Sequence, residues 1–395
     1  MQSKQFSGKP IFSQLLNYIS KDKVNRTAEK HKSDAYTKKL TTYDHLITML
    51  YAVFSNCISL RDLSTALLAC DGKINHFNMS HFPKRSTLSD ANNRRTPELF
   101  ADIYYDLLKE YQPVLSDSRK NLAVPNLYIV DSTTISLFGD ILKGVGRNPL
   151  EGKKKGGLKV HTLINASQDI PTLIKMTASA THDHTFLKDI KLPSYSWIVF
   201  DKGYNDYSYY AELSEKDIYF VTRQKENAQF DSIEEYDITD DSPTNLLKEE
   251  HIHVKGIACL RRIAWYDEEK QRCFEFITNN FELPAEKIAG IYKNRWQIEL
   301  LFKRLKQNFS LKYFLGNSEN AIKIQIWITL IAALILQIIH KLGAKKWAFS
   351  NVAALIKYHL HSYIKLFEFL ENPQASFSTI TTKNLYKPPE QLLLF

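Results

Sequence analysis

Cysteine is scarce in this chain, and its few thiols are far apart. Of 395 residues only four are cysteine, and none of them forms a CxxC pair: Cys57, Cys70, Cys259 and Cys273. Disulfide frameworks and structural zinc sites both depend on closely and regularly spaced cysteines. The spacing therefore argues against either kind of site and favours a reducing compartment such as the cytosol.

The sequence also lacks an apolar run of 18 residues. Its most apolar segment, IWITLIAALILQII (326–339), has 14 residues and contains Thr329 and Gln337. A transmembrane helix needs about 20 apolar residues, so we predict a buried core helix and no membrane partner. The N-terminus lacks the apolar core of a signal peptide. No glycine-rich cofactor loop follows a predicted strand, which disfavours an enzyme acting on a small-molecule substrate.

Charge of one sign is in mild excess. The chain carries 52 Lys and Arg against 43 Asp and Glu, a net charge of +9, and 44% of its residues are hydrophobic. Basic residues are concentrated at 1–50, with nine against four acidic ones, and at 143–159, with six against one. The excess favours a polyanionic partner, although many ordinary proteins share it. A chain of this length can bury a sizeable core and is expected to form two or three domains.

The secondary structure that the sequence predicts changes along the chain from helices alone to a mixture of strands and helices. The first 120 residues have apolar residues at helical spacing, with Thr41 and Ser59 as predicted N-caps. From residue 121, β-branched runs such as LYIVDSTTISL (127–137) predict strands with local connections. An acidic section at 223–272 has the character of an insertion. We therefore predict an α+β or α/β protein divided into residues 1–120, 121–222, 223–272, 273–345 and 346–395.

One short helix of the N-terminal region is flanked by basic side chains. The segment HFPKRSTLSDANNRR (81–95) predicts a helix capped by Ser86 or Thr87. Four cations lie at its ends: Lys84, Arg85, Arg94 and Arg95. Short helices joined by tight turns and flanked by arginines are typical of helix-turn-helix DNA readers. A plain helical bundle with a charged surface has the same pattern, so both interpretations stay open.

The stretch IYKNRWQIELLFKRLKQNF (291–309) predicts an amphipathic helix with an unusual polar face. At about 100° per residue, four side chains fall within roughly 60° of arc; they are Tyr292, Arg295, Glu299 and Lys306. The apolar residues form a separate stripe, so burial does not explain the polar one. The face is either a solvated row of ion pairs or part of a site for metal and phosphate.

Two aspartates occupy matching positions in predicted strands. Asp131 interrupts one apolar run and Asp201 ends another, where an unpaired carboxylate is costly. Each aspartate alone is compatible with capping a turn. Together with Glu299 they form a set of hard oxygen ligands, 70 and 98 residues apart, that suits Mg²⁺ or Mn²⁺. Such ions promote in-line attack on a phosphodiester. Arg295 and Lys306 would then bind phosphate, and Tyr292 would donate a hydrogen bond to the same DNA backbone.

The residues around these positions resemble a known enzyme family. Tyr292, Arg295, Glu299 and Lys306 match Y-x2-R-x3-E-x6-K, the Y-R-E-K signature of the insertion-sequence-four family of DDE transposases. VDSTTI (130–135) resembles the first-aspartate strand of that family, and FDKGYND (200–206) its second-aspartate motif. The N-terminal pattern, including SLRDLSTAL and PKRSTLSDAN, resembles the helical domain of one branch, so the likeness covers residues 10–370.

This resemblance implies a ribonuclease-H-like catalytic core with a β-rich insertion, preceded by an all-α DNA-binding domain. It implies that Asp131, Asp201 and Glu299 bind two Mg²⁺ or Mn²⁺ ions, and that the enzyme nicks a transposon end, forms a hairpin and transfers the end to target DNA. The implied partners are double-stranded DNA, as terminal inverted repeats and target, and a second copy of the chain in a synaptic homodimer. The implied location is the bacterial cytoplasm, in association with the nucleoid.

Further basic side chains are candidate contacts to the DNA backbone, which are independent of sequence and sensitive to salt. They are Lys202 beside the second aspartate, Lys153, Lys154 and Lys155 in a glycine-containing loop, and Lys303 and Arg304 near Lys306. His161, on the strand predicted next to Asp131, points either toward the site or into the core.

Two other functions remain compatible with the sequence. One is a transposase-derived DNA-binding protein without catalysis, and the other is a metal-dependent DNA nuclease that cuts but does not join strands. The complete set of three carboxylates favours an active transposase over the first alternative. A strand-joining assay separates it from the second.

Overall fold

The computed structural model describes residues 7–116, 122–136, 157–254, 259–309, 311 and 313–373. Within these ranges the α-helices are α1 (Ile11–Leu16), α2 (Lys21–Lys30), α3 (Thr42–Phe54), α4 (Leu60–Leu68), α5 (Arg85–Arg94), α6 (Pro97–Leu115), α7 (Tyr207–Glu215), α8 (Ala285–Lys293), α9 (Trp296–Asn308), α10 (Glu319–Leu342), α11 (Phe349–Tyr358) and α12 (Leu366–Glu371). The strands are β1 (Leu127–Ser136), β2 (Gly157–Asn165), β3 (Ile170–Ala178), β4 (Trp197–Phe200), β5 (Tyr219–Arg223), β6 (Asp231–Glu235), β7 (Leu246–His253), β8 (Leu260–Asp267) and β9 (Arg272–Thr278).

The chain divides into two compact units. The first takes the described residues of ranges 1–114, 308–316 and 320–395, and the second those of 115–307 and 317–319. The first unit is therefore helical and discontinuous in sequence, whereas the second contains the sheet. Residues 320–345, which the sequence groups with the preceding segment from 273, belong to the first unit.

The first unit is built around two apolar helices. Every residue of α3 is buried. Helix α10 is long and apolar enough to cross a membrane, but 89% of its apolar 18-residue window is buried inside the protein. This confirms the prediction of a core helix at 326–339. Aromatic rings from distant parts of the unit meet edge to face, with Phe12 lying 5.3 Å from Tyr51 and 5.0 Å from Phe77.

Helix starts in the first unit follow the capping rules at two of the three predicted positions. The side chains of Thr41 and Ser59 accept hydrogen bonds from the backbone N–H groups of Asp44 and Asp62, as predicted. The cap predicted for α5 at Ser86 or Thr87 is wrong. Lys84 is the N-cap, with an extended backbone, and it supplies no side-chain acceptor. Because Arg85 is already helical, the two hydroxyl residues lie within the first turn.

The second unit contains one mixed sheet of nine strands among the described residues, in the order β3-β2-β1-β4-β5-β9-β8-β7-β6. Strand β1 pairs antiparallel with β2 and parallel with β4, and β4 pairs parallel with β5. The four residues of β4, WIVF, are all buried, as expected of a parallel strand inside a sheet. Helix α7 connects β4 to β5, and its side chains Tyr210 and Leu213 share a core with Phe200 and Phe220.

The acidic section at 223–272 is richer in strands than its sequence suggests. Strands β6, β7 and β8 form an antiparallel series that joins β9 and, through it, β5, so the section extends the sheet. Ion pairs across these strands stabilise it: Arg261 lies 2.7 Å from Glu249, and Arg262 lies 2.6 Å from Glu275. Pairing of opposite charges between strands explains how a segment with few apolar residues forms a regular ladder.

Candidate active site

Three elements of the second unit carry the predicted carboxylates. Asp131 lies in β1, Asp201 directly follows β4, and Glu299 lies in the first turn of α9. Strands β1 and β4 are parallel neighbours whose register pairs Val130 with Phe200. The residue after each partner is an aspartate, so the two carboxylates leave the sheet at the same edge. The sequence pattern of an aspartate at the end of an apolar run therefore has a geometric basis.

Arg295 connects two of these carboxylates. Its Nη1 donates to Oδ2 of Asp131 at 3.0 Å, and its Nη2 donates to Oε1 of Glu299. The Arg295 side chain is only 16% exposed, and the Asp131 side chain 19%. A guanidinium is always charged and has donors in a fixed planar arrangement, so it orients both carboxylates at once.

Asp201 is held by two other side chains. Arg223, at the end of β5, donates to its Oδ1 from Nη2 at 2.6 Å and from Nε at 3.1 Å. The Tyr292 hydroxyl donates to the same oxygen at 3.1 Å. All three of these hydrogen bonds therefore converge on Oδ1. Two positions of the signature are thus donors to the carboxylates: Tyr292 contacts Asp201, and Arg295 contacts Asp131 and Glu299.

The signature does not lie on one continuous helix, which corrects the prediction for residues 291–309. Helix α8 ends at Lys293 and α9 begins at Trp296, with a tight turn at Asn294 and Arg295. The backbone N–H groups of both turn residues bond to carbonyls three residues back. The Asn294 side chain also donates to the carbonyls of Gly290 and Ile291. Asparagine competes for backbone groups in this way and interrupts helices.

The pKa values of the two aspartates are shifted in opposite directions. Burial raises the pKa of Asp131 to about 6; the Ser132 N–H and Arg295 oppose that shift, and the carboxylates of Asp201 and Glu299 add to it. Burial also raises the pKa of Asp201, but the hydrogen bonds and charge of Arg223 outweigh it, so that the net pKa is lowered. The buried Asp131 carboxylate is thus short of positive charge at neutral pH, whereas Asp201 is well compensated.

A fourth carboxylate, Asp183, lies beside the site. Its Oδ1 accepts a hydrogen bond from the Ser132 hydroxyl at 2.8 Å and lies 3.1 Å from Lys159 Nζ. The fully buried His161 lies 3.6 Å from the same oxygen, and its other ring nitrogen lies 2.9 Å from the Thr177 hydroxyl. His161 therefore belongs to a buried polar cluster next to Asp131. Because Ser132 follows Asp131 directly, this cluster fixes the strand that carries the aspartate.

Sequence reasoning missed Asp183 and Arg223. Arg223 ends an apolar strand, IYFVTRQ, in the way that Asp201 ends its own, and that shared pattern is the signal that points to it. Asp183 lies in a short polar segment, THDH, whose histidines draw attention first. Nothing in its local sequence indicates that it contacts Ser132.

The donor set fits a divalent cation in its chemistry. Carboxylate oxygens are the ligands that Mg²⁺ and Mn²⁺ prefer, and the raised pKa of Asp131 indicates a place where added positive charge is favourable. The three carboxylates are farther apart than ligands of one ion. In the described ranges, no group of three or more His, Cys, Asp or Glu side chains is close enough to hold an ion. Arg295 instead supplies the positive charge between Asp131 and Glu299.

The predicted DNA contacts of the second unit have different surroundings. Lys303 and Lys306 are exposed on α9, and Arg304 is half-buried. Lys202 is half-buried, and its Nζ lies 3.3 Å from Glu226. Lys153, Lys154 and Lys155 lie outside the described residues. Tyr292 and Arg295, also predicted as backbone contacts, donate to the three carboxylates instead.

The basic residues around α5 in the first unit also separate into two kinds. Lys84, Arg85 and Arg94 are exposed. Arg95 is only 7% exposed; its Nη2 donates to Asp34 at 3.0 Å and to the Leu40 carbonyl at 2.6 Å. A guanidinium buried in this way cannot reach a DNA backbone, so the prediction for Arg95 is corrected to a structural role.

Comparison with known proteins identifies relatives of both parts of the chain. Residues 123–335 match the family described as Transposase DDE domain, and residues 7–80 match a family described as a domain of unknown function, DUF4372. A Sinorhizobium fredii protein named as a transposase, y4zB, is 29% identical over 271 residues, covering 66% of this chain and 73% of that protein. A Synechocystis protein named as a transposase for insertion sequence element IS4SA is 29% identical over 269 residues, covering 64% and 71%.

Two more distant similarities complete the comparison. A Geobacillus stearothermophilus protein named as a transposase for insertion sequence element IS5377 is 23% identical over 251 residues, covering 60% of this chain and 64% of that protein. Among solved structures, the chain is similar to the piggyBac transposase in a synaptic complex with hairpin DNA. The identity is 10% and the TM-score 0.47, over 95% of this chain and 84% of that one, too weak a likeness to carry an argument.

Proposed function

The chain is a transposase of the Transposase DDE domain family, and we propose that it moves an insertion sequence by metal-dependent cutting and joining of DNA. The observation that carries this proposal is the convergence of three carboxylates from distant parts of the sequence. Arg295 contacts two of them, Asp131 and Glu299, and Arg223 and Tyr292 contact the third. Two arginines, a tyrosine and three half-buried acids in one cluster are expected of a catalytic centre.

The metal ligands we propose are Asp131, Asp201 and Glu299. The family typically uses divalent metal ions, and two Mg²⁺ or Mn²⁺ ions per site would suit this reaction. When bound, such ions activate a water or 3′-hydroxyl and neutralise charge on the reacting phosphate.

The side chains around the carboxylates prepare them for that role. Arg295 orients Asp131 and Glu299, and Tyr292 and Arg223 fix one oxygen of Asp201. Arg223 also lowers the pKa of Asp201 and so keeps this aspartate ionised. Asp131, with a pKa of about 6, is ionised above that pH and protonated below it. The proposal therefore expects protonation of Asp131 to compete with metal binding, so that more Mg²⁺ is needed for activity below pH 6 than above it.

Exposed and half-buried cations of the second unit are suited to hold the DNA backbone. We propose that Lys306, Lys303 and Arg304 on α9, together with Lys202, contact phosphates near the cut, and we extend this role to Lys153, Lys154 and Lys155. Phosphate contacts of this kind position the DNA without reading its sequence. In the first unit we propose the same role for Lys84, Arg85 and Arg94, in an all-α DNA-binding domain.

The finer assignment to the insertion-sequence-four family rests on the Y-R-E-K signature. The strand order β3-β2-β1-β4-β5, with three antiparallel strands followed by two parallel ones, supports a ribonuclease-H-like core. Strands β6 to β8, within 223–272, would form the β-rich insertion of that family, and β9 would return to the core. From this assignment we propose end nicking, a hairpin intermediate and strand transfer in a synaptic homodimer, in the bacterial cytoplasm at the nucleoid.

A strand-joining assay tests the proposal. The full chain is mixed with DNA carrying the element's end, a supercoiled target plasmid and Mg²⁺, and the products are separated on a gel. Joined donor and target are expected for the parent and for Glu215→Gln, an exposed carboxylate on α7, but not for Glu299→Gln.

Two other results of this assay would each indicate a different function. Cleaved donor without joining, under all conditions, would indicate a nuclease. Retarded but uncut DNA with Mg²⁺ and with Mn²⁺ would indicate a binding protein in which Arg295 permanently occupies the place of a cation.

A further inference from the structure

The first unit contains a large concave surface that the catalytic reaction does not use. A cavity of about 780 Å³ lies between the connection from α2 to α3 and the segment that contains α5. Its two walls are residues 31–40 and residues 81–99. Cavities that enclose small ligands usually measure about 300–1,000 Å³, so this one has the size of a binding pocket rather than of a packing defect.

The cavity is lined by cations that lack acidic partners. No ion pair involves them within the described parts of the chain; they are Lys32, Lys38, Lys39, Lys84 and Arg94. Asp90 is the single acidic side chain on the wall. Like charges on a concave surface repel one another and concentrate their field in the space between them. An anionic ligand is therefore the expected occupant.

An aromatic side chain stands at the cavity with its ring in solvent. Tyr36 is fully exposed, at 104% of the reference area, and its φ of +62° lies in the left-handed region. A bulky residue rarely adopts this conformation, and such backbone strain is concentrated at functional sites. Phe82 and His81 lie on the opposite wall. The cavity thus combines flat rings with cations, which is the chemistry that recognises a base together with its phosphates.

Buried contacts hold the wall in place before any ligand arrives. Arg95 reaches from the end of α5 to the hydroxyl of Ser33 at 3.1 Å, to Asp34 and to the Leu40 carbonyl. The Thr42 N–H donates to both carboxylate oxygens of Asp34, at 2.8 and 3.0 Å. These bonds tie residues 33–42 to α5, so Arg95 is a positioning residue for the cavity.

The start of α5 adds donors to the same cavity. Lys84 and Thr87, from the N-cap and first turn, both line it, and no side chain caps the helix. The first backbone N–H groups of a helix lack internal partners and attract phosphate. This feature agrees with the charged lining but would not by itself define a site.

From these observations we infer that the cavity binds one unstacked nucleotide of a DNA strand. The inference rests on the proposed function, in that it names the form of DNA that the first unit takes. Lys38, Lys39 and Arg94 hold phosphates on either side of the nucleotide, and its base stacks on Tyr36. The base of a continuous duplex is covered by its neighbours, so the site selects a frayed or single-stranded position.

Fluorescence measurements on the full chain without metal ions test this inference. The probes are a flush 20-base-pair duplex and the same duplex with a five-nucleotide single-stranded overhang carrying 2-aminopurine. Anisotropy reports affinity, and 2-aminopurine emission, which stacking quenches, reports the base. The variants are Tyr36→Ala, Tyr36→Phe and the double variant Lys38→Ala/Lys39→Ala. Arg26→Ala is the control, because Arg26 is exposed on α2 but does not line the cavity.

We expect the parent and Tyr36→Phe to bind the overhang probe more tightly than the flush duplex and to quench its emission. Tyr36→Ala loses the quenching and about 5- to 150-fold of the affinity for the overhang, the range of base–aromatic stacking, while flush-duplex binding is unchanged. The double lysine variant lowers the slope of log affinity against log salt by about 1.4, as for two lost contacts to a single strand. Arg26→Ala keeps both the preference and the quenching.

Two results would overturn the inference. Equal affinity for both probes in all variants would show that the cavity takes no unstacked nucleotide. Displacement of the overhang probe by millimolar adenosine monophosphate would assign the cavity to a free nucleotide instead. The criterion is that the adenosine monophosphate needed is less than ten times the concentration of unlabelled oligonucleotide that gives the same displacement. Neither result affects Mg²⁺-dependent cleavage by the parent. Failure of the nucleotide-binding inference is therefore distinguishable from failure of the proposed function.

Discussion

Replacing Asp131 by asparagine should make the protein more stable at neutral pH, although the residue is proposed to be catalytic. Burial raises the pKa of Asp131 from 3.8 to about 6 in the folded protein. Between these two values the folded state binds more protons than the unfolded state, so the carboxyl's contribution to the free energy of unfolding declines as pH rises. A shift of this size corresponds to about 3 kcal/mol, lost between pH 4 and pH 6.

Two buried histidines titrate in the same pH range, and their effect on the free energy of unfolding is opposite to that of Asp131. Burial lowers the pKa of His161 to about 4 and that of His45 to about 3, so both histidines favour the folded state increasingly as pH rises toward 6.5. The stability of the parent alone therefore does not isolate Asp131. The difference between Asp131→Asn and the parent does, because the two histidines are common to both proteins.

The measurement is thermal unfolding of both proteins in EDTA from pH 4 to pH 7.5. For a unit of the size of residues 115–307, 1 kcal/mol shifts the midpoint by about 2–4 °C. The midpoint of Asp131→Asn should therefore gain about 6–12 °C on the parent across this range, and saturating Mg²⁺ should close the gap by stabilising the parent only. Glu215→Gln, an exposed carboxylate, should show no such trend. A pH-independent difference would refute the assignment of Asp131 as a desolvated acid.

Three further substitutions have defined outcomes. Arg223→Gln removes the charge and the paired hydrogen bonds that hold Asp201 and should slow cleavage at pH 7.5 about 10-fold or more; an unchanged rate would contradict the pairing. Tyr292→Phe removes one hydrogen bond to Asp201 and should slow cleavage about 10-fold or more, with DNA affinity by anisotropy unchanged. Arg95→Lys should lower the free energy of unfolding in urea by about 1–3 kcal/mol, whereas Arg94→Lys, at an exposed site, should change it by less than about 0.5 kcal/mol.

Features that depend on local sequence were predictable, and features that depend on distant contacts were not. Asp131 and Asp201 were found because a carboxylate that interrupts or ends an apolar strand is visible in the sequence, and the parallel pairing of β1 with β4 puts both at one edge. Thr41 and Ser59 were found because capping involves only the next three residues. Arg223 and Asp183 were missed because their partners lie 22 and 51 residues away.

The errors have physical causes of the same kind. The helical spacing of apolar residues continues through Asn294, so the sequence does not predict the break between α8 and α9. The break is explained only by the hydrogen bonds of the Asn294 side chain to the preceding helical turn. Arg95 has the same local sequence context as Arg94. Only the fold shows that its guanidinium turns inward to Asp34, 61 residues earlier in the chain.

The most direct test of the central claim is the rate of Mg²⁺-dependent cleavage of a DNA end by the parent and by each carboxylate variant. Asp131→Asn, Asp201→Asn and Glu299→Gln should each bind the DNA with unchanged affinity and cut it at least about 1,000-fold more slowly, a loss of about 4 kcal/mol of transition-state stabilisation. The parent should not cut without a divalent ion. Cleavage by the parent in EDTA, or near-normal cleavage by any one of the three variants, would contradict a metal centre built on these carboxylates.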